Sequence, residues 1–238
     1  MKVSLIIITY NYSHFLENCI NSCIHQKNTS LSYEIIVVDD GSTDGTSEIL
    51  ESYSSNLVRI FRIENSGIEK ASNFGFSKAN GEYIVRVDAD DCLMPDYLAS
   101  MENFLSNKFG FFYSNYQVID GEDKTLKVVN LPMFDRSEIF SRGDFLATGT
   151  LFRSDVMNEF GPYKCEIVNG GLENYELIIH LLKNEVNGLH IPKVLFSYRR
   201  HSKNISNVKR DAIIKNGKRL FEKADLGPFV TNRFHPYN

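Results

Sequence analysis

The feature that most constrains the fold is a series of short apolar runs separated by amphipathic stretches in the first hundred residues. The runs are VSLIIIT (3–9), EIIVVDD (34–40), LVRIFRI (57–63) and EYIVRVD (82–88). Each has the length of a buried strand, and the stretches between them, such as SHFLENCINSCIHQ (13–26), carry apolar residues at helical spacing. This alternation predicts right-handed crossovers and an α/β fold, with helices on both faces of a mostly parallel sheet.

The second half of the chain is less regularly patterned. A strand is predicted over 109–120, a helix over 172–184, a late strand over 191–201 and a basic amphipathic helix over 208–224. Residues 124–147 have no clear period. We therefore expect one domain over residues 1–205, with a mixed second half from residue 109, and a helical tail over 206–238.

Composition excludes several classes of protein. A net charge of −4 gives no electrostatic reason to expect a nucleic-acid partner. No apolar run approaches the roughly 18 residues that span a bilayer, and the N-terminal run lacks a signal-peptide cleavage pattern. The four cysteines do not have the spacing of a disulfide framework, which favours the cytoplasm. The basic tail helix has two interpretations: packing on the domain, or contact with the inner face of an anionic membrane.

Three polar clusters follow the predicted strands. They are TYN (9–11), DDGSTD (39–44) and DADD (88–91). A single cluster of this kind is explained by turn chemistry, and Ser42, Thr43 or Asp44 is suited to capping the next helix. Three clusters at one edge of a sheet favour a ligand site instead, because ligands of open α/β sheets bind beyond the carboxyl ends of the strands.

The acidic cluster DADD is compatible with a divalent cation. Period 2 along the strand puts Asp88 and Asp90 on one side, and paired carboxylates suit Mg²⁺ or Mn²⁺ when phosphate supplies further ligands. An alternative is that Arg86, on the same side, neutralises Asp88 while Asp91 caps the following helix. That alternative leaves one acid without a partner, so we favour the metal.

Four segments together resemble the family 2 glycosyltransferases. They are VSLIIITYN (3–11), YEIIVVDDGSTDGT (33–46), GEYIVRVDADD (81–91) and YRRHSKNIS (198–206). The resemblance covers residues 2–205 and implies the Rossmann-like GT-A fold, with residues 1–108 binding a nucleotide sugar and 109–205 binding the acceptor. Members of this family transfer a sugar from a nucleotide diphosphate sugar to a hydroxyl group, with inversion of the anomeric centre.

The resemblance also implies roles for individual residues. It assigns Thr9 to nucleotide binding, Tyr10 to the base or ribose, Asp40 to a hydrogen bond with the base, and Asp88 to the ribose and metal. Asp90 or Asp91 is expected to hold the cation against the diphosphate, with His201 as an extra ligand.

Cationic residues are expected to contact the diphosphate. The family often has arginine at the position of Ser72, so Lys70 is a candidate substitute, with a solvated helix position as the equal alternative. Arg199 or Arg200 is expected to pair bidentately with phosphate.

One position departs from the family pattern. A Glu-Asp pair begins the helix after the acceptor region in this family, and its Asp is the general base. Here Glu173 matches the Glu, but Asn174 stands where the Asp belongs, and an amide does not accept a proton at neutral pH. Three interpretations follow: Glu173 or Glu176 is the base, the acceptor needs little activation, or catalysis is weak.

We therefore expect a metal-dependent inverting transferase that uses a nucleotide diphosphate sugar, with UDP as the family's commonest nucleotide, and a glycan or lipid-linked acceptor in bacterial surface polysaccharide synthesis. One alternative is a nucleotide-sugar-binding module with little catalytic activity. Another is a nucleotidyltransferase, although TYNYSHFLEN (9–18) lacks the glycine-rich, basic segment typical of that class. A dinucleotide-dependent dehydrogenase is excluded, because no G-x-G-x-x-G follows the first strand.

Overall fold

The computed structural model describes residues 2–53, 55–142, 149–227 and 229. Its strands are β1 (Lys2–Thr9), β2 (Ser32–Asp39), β3 (Val58–Arg62), β4 (Tyr83–Asp88), β5 (Cys92–Leu93), β6 (Phe111–Ile119), β7 (Thr125–Val129), β8 (Leu151–Arg153) and β9 (Gly188–Arg199). Its helices are α1 (Ser13–Ile24), α2 (Thr46–Glu51), α3 (Ile68–Lys78), α4 (Tyr97–Glu102), α5 (Arg136–Arg142), α6 (Ser154–Phe160), α7 (Glu173–Lys183), α8 (Ile205–Val208) and α9 (Arg210–Ala224).

All strands within these residues belong to one sheet, in the order β3-β2-β1-β4-β8-β6-β9-β5, with β7 paired to β6. The first four strands in that order are parallel, as predicted. β8 then runs antiparallel to both β4 and β6, so the second half of the sheet is mixed. Register pairs Thr9 with Asp39, and Ile8 with Asp88, which places the three polar clusters at one edge.

The first strand is buried on both faces, and its side chains alternate between two cores. Leu5 and Ile7 pack with α1, whereas Ile6 and Ile8 pack with Ala71 of α3. The contact with α3 is close, because a Cβ at Gly75 would lie 2.6 Å from Cγ2 of Ile6. The continuous apolar run thus reflects a strand covered by helices on both sides, as parallel sheets are.

Two regions differ from the expected pattern or resolve an alternative. Residues 124–147 have no sequence period, yet β7 and α5 form within the described part of that segment. The tail helix α9 packs on the domain, where Ile213 and Phe221 are buried beside Tyr175 and Ile178 of α7. In the part of the chain that the structure covers, no helix has the length and apolarity needed to cross a bilayer. Residues 228 and 230–238 of the predicted tail lie outside the described residues.

Buried Glu34 of β2 joins the amino-terminal ends of several strands. Its carboxylate accepts hydrogen bonds from Ser4 Oγ at 2.7 Å, the Asn80 backbone N–H at 2.8 Å and Arg59 Nη1 at 3.1 Å. Burial raises the pKa of Glu34, but these hydrogen bonds outweigh it and lower the pKa to about 2. The ionised carboxylate therefore stabilises the folded chain.

We predict that Glu34→Gln lowers the free energy of unfolding by about 2–3 kcal/mol at pH 7. A carboxyl whose pKa is depressed on folding stabilises above its unfolded pKa, near 4.3, and loses that contribution as the pH falls toward 2. Urea unfolding from pH 7 to pH 2.5 should show the difference from the wild type shrinking. Exposed Glu122→Gln is the control, and a pH-independent difference for Glu34→Gln would contradict the assignment.

Candidate active site

The three carboxylates after β4 lie on one tight turn, which the hydrogen bond from Asp91 N to Asp88 O closes at 2.9 Å. Asp90 is 9% exposed and Asp91 is 1% exposed. Burial raises the pKa of Asp91, and the charges of Asp90 and Asp88 raise it further. The turn therefore concentrates negative charge in a poorly solvated place, which is costly unless cations or hydrogen-bond donors offset it.

Arg86 neutralises two of the site's acids. Its Nε lies 2.9 Å from Asp88 Oδ1 and its Nη2 lies 3.3 Å from Oδ2, while Nη1 donates to Glu173 Oε1 at 2.8 Å. The guanidinium is buried. The pairing of Arg86 with Asp88, which we ranked below a metal, is thus present. The other half of that alternative is wrong, because Asp91 caps no helix and its Oδ1 instead accepts the Arg199 backbone N–H at 2.8 Å.

Asp90 meets His201, which follows β9 and lies 111 residues later in the chain. His201 Nε2 lies 3.0 Å from Asp90 Oδ2, and Asn204 Nδ2 donates to the same oxygen at 3.1 Å. The rings of Tyr12 and Phe15 contact the imidazole, with centroids 5.7 and 5.0 Å away. The arrangement fixes a carboxylate and an imidazole side by side at the sheet edge.

This donor set fits a divalent cation. Carboxylate and imidazole ligands are compatible with Mn²⁺, and Mg²⁺ takes one or two carboxylates with phosphate and water. Asp91 Oδ2 is buried with no hydrogen-bond partner among the described residues, so it is a further oxygen atom available to a cation. Within those residues no group of three His, Cys, Asp or Glu side chains is arranged to hold a metal. The protein ligands are therefore few, and bound phosphate would complete the shell.

Arg199 does not have the predicted role of an open phosphate contact. Its side chain is fully buried, its Nε donates to Asp90 O at 2.7 Å, and its Nη1 donates to Asp120 O at 2.9 Å. Nη2 pairs with Asp123 at 2.5 Å. The Nε donor thus supports the acidic turn and the other two bind the 120–123 turn, whereas the neighbouring Arg200 is exposed.

The residues expected to bind the nucleotide lie at the same edge but differ in access. Thr9 is buried, Tyr10 just beyond β1 is 45% exposed, and Lys70 is exposed in the first turn of α3. Asp40 is buried, and its carboxylate accepts the Ser66 and Gly67 backbone N–H groups at 2.8 and 3.0 Å. Its oxygens are therefore occupied by the chain's own loop, although we expected them to face a base.

The first turn of α3 is joined to the loop before α7. The buried carboxylate of Glu69 accepts the backbone N–H groups of Asn169 and Gly170 at 2.9 and 2.8 Å. Gly67 has φ +91°, and a Cβ there would lie 2.4 Å from Cγ1 of Val168. The loop before α3 and the loop before α7 are thus in direct contact.

The start of α7 places the three side chains considered for the general base in different surroundings. Glu173 is 9% exposed, with Oε1 bonded to Arg86 and Oε2 without a partner among the described residues. Asn174 is buried, and its Oδ1 accepts the hydroxyl of Tyr163. Glu176 lies 3.2 Å from Lys164 Nζ. Of these three side chains, Glu173 is the one tied to the acidic edge.

Sequence reasoning missed several contributors to this site. Tyr163 lies with its ring centroid 5.5 Å from Arg86 Cζ, and Asn204 supports Asp90. The sequence suggests Asp88 as a partner of Arg86, but it does not indicate the second partner, Glu173. A charged side chain within an otherwise apolar strand was the available signal, because buried arginines require partners.

The family model described as glycosyl transferase family 2 matches residues 4–160. Among curated proteins, glycosyltransferase GlyA of Streptococcus pneumoniae is 30% identical over 227 residues. That match covers 87% of this chain but 32% of GlyA, so the chain spans about a third of this relative's length.

Solved structures share the fold at low identity. S. aureus TarS in complex with UDP-GlcNAc superposes with a TM-score of 0.75 at 19% identity, covering 97% of this chain and 68% of that one. The mannosyltransferase PcManGT from Pyrobaculum calidifontis, in complex with GDP-Man and Mn²⁺, gives 0.71 at 18% identity, covering 99% and 67%. The chain has the GT-A fold and belongs to glycosyl transferase family 2.

Proposed function

We propose that this chain transfers a sugar from a nucleotide diphosphate sugar, with UDP as the nucleotide, to an acceptor hydroxyl with inversion. The observation that carries the proposal is the meeting of Asp88, Asp90, Glu173 and His201 at the carboxyl edge of a GT-A sheet. The UDP-GlcNAc complex of TarS, a neighbour in fold, supports the choice of nucleotide.

The donor is held at the carboxyl ends of β1, β2 and β4. The exposed ring of Tyr10 offers a stacking surface for the base beside Thr9, and Asp88 faces the ribose. Asp40 reaches the base only if it exchanges a backbone hydrogen bond of the 65–67 loop. Lys70 and Arg200 are exposed cations suited to the diphosphate.

His201, together with Asp90 or Asp91, would hold Mn²⁺ or Mg²⁺. The Mn²⁺ complex of PcManGT, which shares the fold, supports this assignment. A bound cation would stabilise the negative charge that develops on the departing diphosphate.

Inversion follows from a single displacement. The acceptor oxygen bonds to the anomeric carbon as the bond from that carbon to the diphosphate oxygen breaks, and the diphosphate leaves with the electron pair. The acceptor proton passes to Oε2 of Glu173, the oxygen without a hydrogen-bond partner among the described residues. Asn174 takes no proton and fixes Tyr163 instead.

The acceptor is a glycan or lipid-linked saccharide, and the setting is bacterial surface polysaccharide synthesis in the cytoplasm at the inner face of the membrane. The family assignment favours glycosyl transfer over nucleotidyl transfer. A nucleotide-sugar-binding module with little catalysis is the second candidate, and it is favoured by Asn174 at the family's base position. Release of nucleoside diphosphate from a panel of nucleotide sugars with Mn²⁺ distinguishes the two, because a module binds without turnover.

We expect UDP to raise the melting temperature more with Mn²⁺ than with a chelator. A hundredfold excess over Kd stabilises by about 2.7 kcal/mol, or about 5–10 °C at this size. Asp90→Asn should remove the Mn²⁺-dependent part, whereas Asp211→Asn, an exposed carboxylate of α9, should keep it. A UDP shift that is indifferent to chelator and to Asp90→Asn would contradict the metal site.

Glu173→Gln should lower the rate of nucleoside diphosphate release by roughly 10²–10⁴-fold, the range for loss of a general base. Asn174→Asp added to Glu173→Gln should not restore the rate, because the side chain at position 174 faces Tyr163. Glu176→Gln is the matched control on the same turn, and we expect it to stay near the wild-type rate. An unchanged rate in Glu173→Gln, with a loss in Glu176→Gln, would transfer the role to Glu176.

Arg199→Met and Arg200→Met should have different effects. Removal of the Arg199 guanidinium leaves the carbonyl of buried Asp90 without this donor and takes one of two donors from Asp120 O, so it should lower stability by about 2 kcal/mol or more. Arg200→Met should leave unfolding unchanged and raise the Kd for UDP about tenfold, the effect of one lost charged hydrogen bond. Urea unfolding and calorimetry measure the two effects, and equal UDP affinity in Arg200→Met would remove Arg200 from the site.

A further inference from the structure

We propose that Arg86 is a positioning residue that holds the donor-side carboxylate of Asp88 and the acceptor-side carboxylate of Glu173 in one ion-paired group. The inference rests on the proposed function and deepens it, since neither the family match nor the sequence assigns a role to this arginine in the reaction. A single side chain would then set the geometry of both halves of the site.

The contacts of Arg86 engage both acids at once. Nε and Nη2 pair with the two oxygens of Asp88, and Nη1 bonds Glu173, 87 residues away in the chain. The planar guanidinium directs these donors in fixed directions, which a lysine ammonium does not. The relative position of the two carboxylates is therefore fixed by the shape of one side chain.

Arg86 is itself held on more than one side. Its carbonyl accepts the Gly149 backbone N–H at 3.0 Å, which fixes its position at the end of β4. The ring of Tyr163 lies beside the guanidinium, and the Tyr163 hydroxyl donates to Asn174 Oδ1. Asn174 thus serves the same assembly through Tyr163, and a neutral amide there adds no further negative charge beside Glu173.

The electrostatics give the pairing a function. Asp88 and Glu173 are like charges brought near one another by separate elements, β4 and α7, in a site with little solvent. Arg86 is the cation between them, so its loss would let the carboxylates move apart. Donor affinity would fall because Asp88 is displaced, and the rate of transfer would fall because Glu173 is displaced.

The test is a double-mutant cycle on the full chain with two readouts. The Kd for UDP with Mn²⁺ is measured by calorimetry, and kcat is measured as nucleoside diphosphate release from the best nucleotide sugar of a panel. R86M should raise Kd and lower kcat, each by about tenfold or more, and R86K should fall between R86M and the wild type. R86M/E173Q should match E173Q in kcat within about twofold, and R86M/D88N should match D88N in Kd within about twofold.

A merely structural arginine gives a different pattern. If Arg86 were merely structural, R86M would change kcat by the same factor in E173Q as in the wild type, and Kd by the same factor in D88N as in the wild type. Such independent, multiplicative effects would overturn the role of Arg86. If R86M does not fold, R86K carries the same cycle. R59M is the matched control, since it removes another sheet arginine that is paired with a glutamate, and its Kd and kcat should stay within about twofold of the wild type.

Failure of the proposed function is separable from failure of this inference. A wild-type chain that neither binds UDP nor releases nucleoside diphosphate overturns both. An active wild type with multiplicative effects overturns only the coupling through Arg86.

Discussion

Charge balance at the carboxyl edge of the sheet is the constraint on which the site depends. Two like charges about 4 Å apart repel by roughly 1 kcal/mol in water and roughly 4 kcal/mol at the effective dielectric of a protein surface. The chain gathers several carboxylates there and offsets them with partners from β4 itself and from the end of β9. Arg86 pairs with Asp88, the Arg199 backbone N–H bonds Asp91, and His201, just after β9, lies against Asp90. The site is therefore assembled as acids and counter-ions together.

The same balance explains why family resemblance and local chemistry agree at some positions and diverge at others. Asp90 beside His201 remains suited to a cation, because both groups present ligand atoms at the sheet edge. Asp88 is engaged by Arg86 before any ligand arrives. Under the proposed function, a donor that binds beside Asp88 would share this carboxylate with Arg86, and the same guanidinium would connect donor binding to Glu173.

Local patterns allowed the first half of the fold to be predicted, but they do not indicate which residues pair with one another across the site. Continuous apolar runs marked the four parallel strands, and the polar clusters after them are brought to one edge by strand register. The pairing of Arg86 with Glu173 depends on where α7 lies, which follows from the antiparallel β8 and the order of the late strands. The sequence offers Arg199 and Arg200 equally as the phosphate contact, because the burial of Arg199 becomes known only when β9 takes its place between β6 and β5.

The buried carboxylate of Glu69 has a consequence for how the chain can be divided. The match to the family model ends at residue 160, yet Glu69, well within the matched segment, accepts hydrogen bonds from the backbone of residues 169 and 170. A truncation at residue 160 would remove both of these donors from the buried carboxylate of Glu69, which lies in the first turn of α3. The segment that the family model matches is thus shorter than the part of the chain that these hydrogen bonds hold together, and an exchange of the segment after residue 160 between relatives should keep the partners of Glu69.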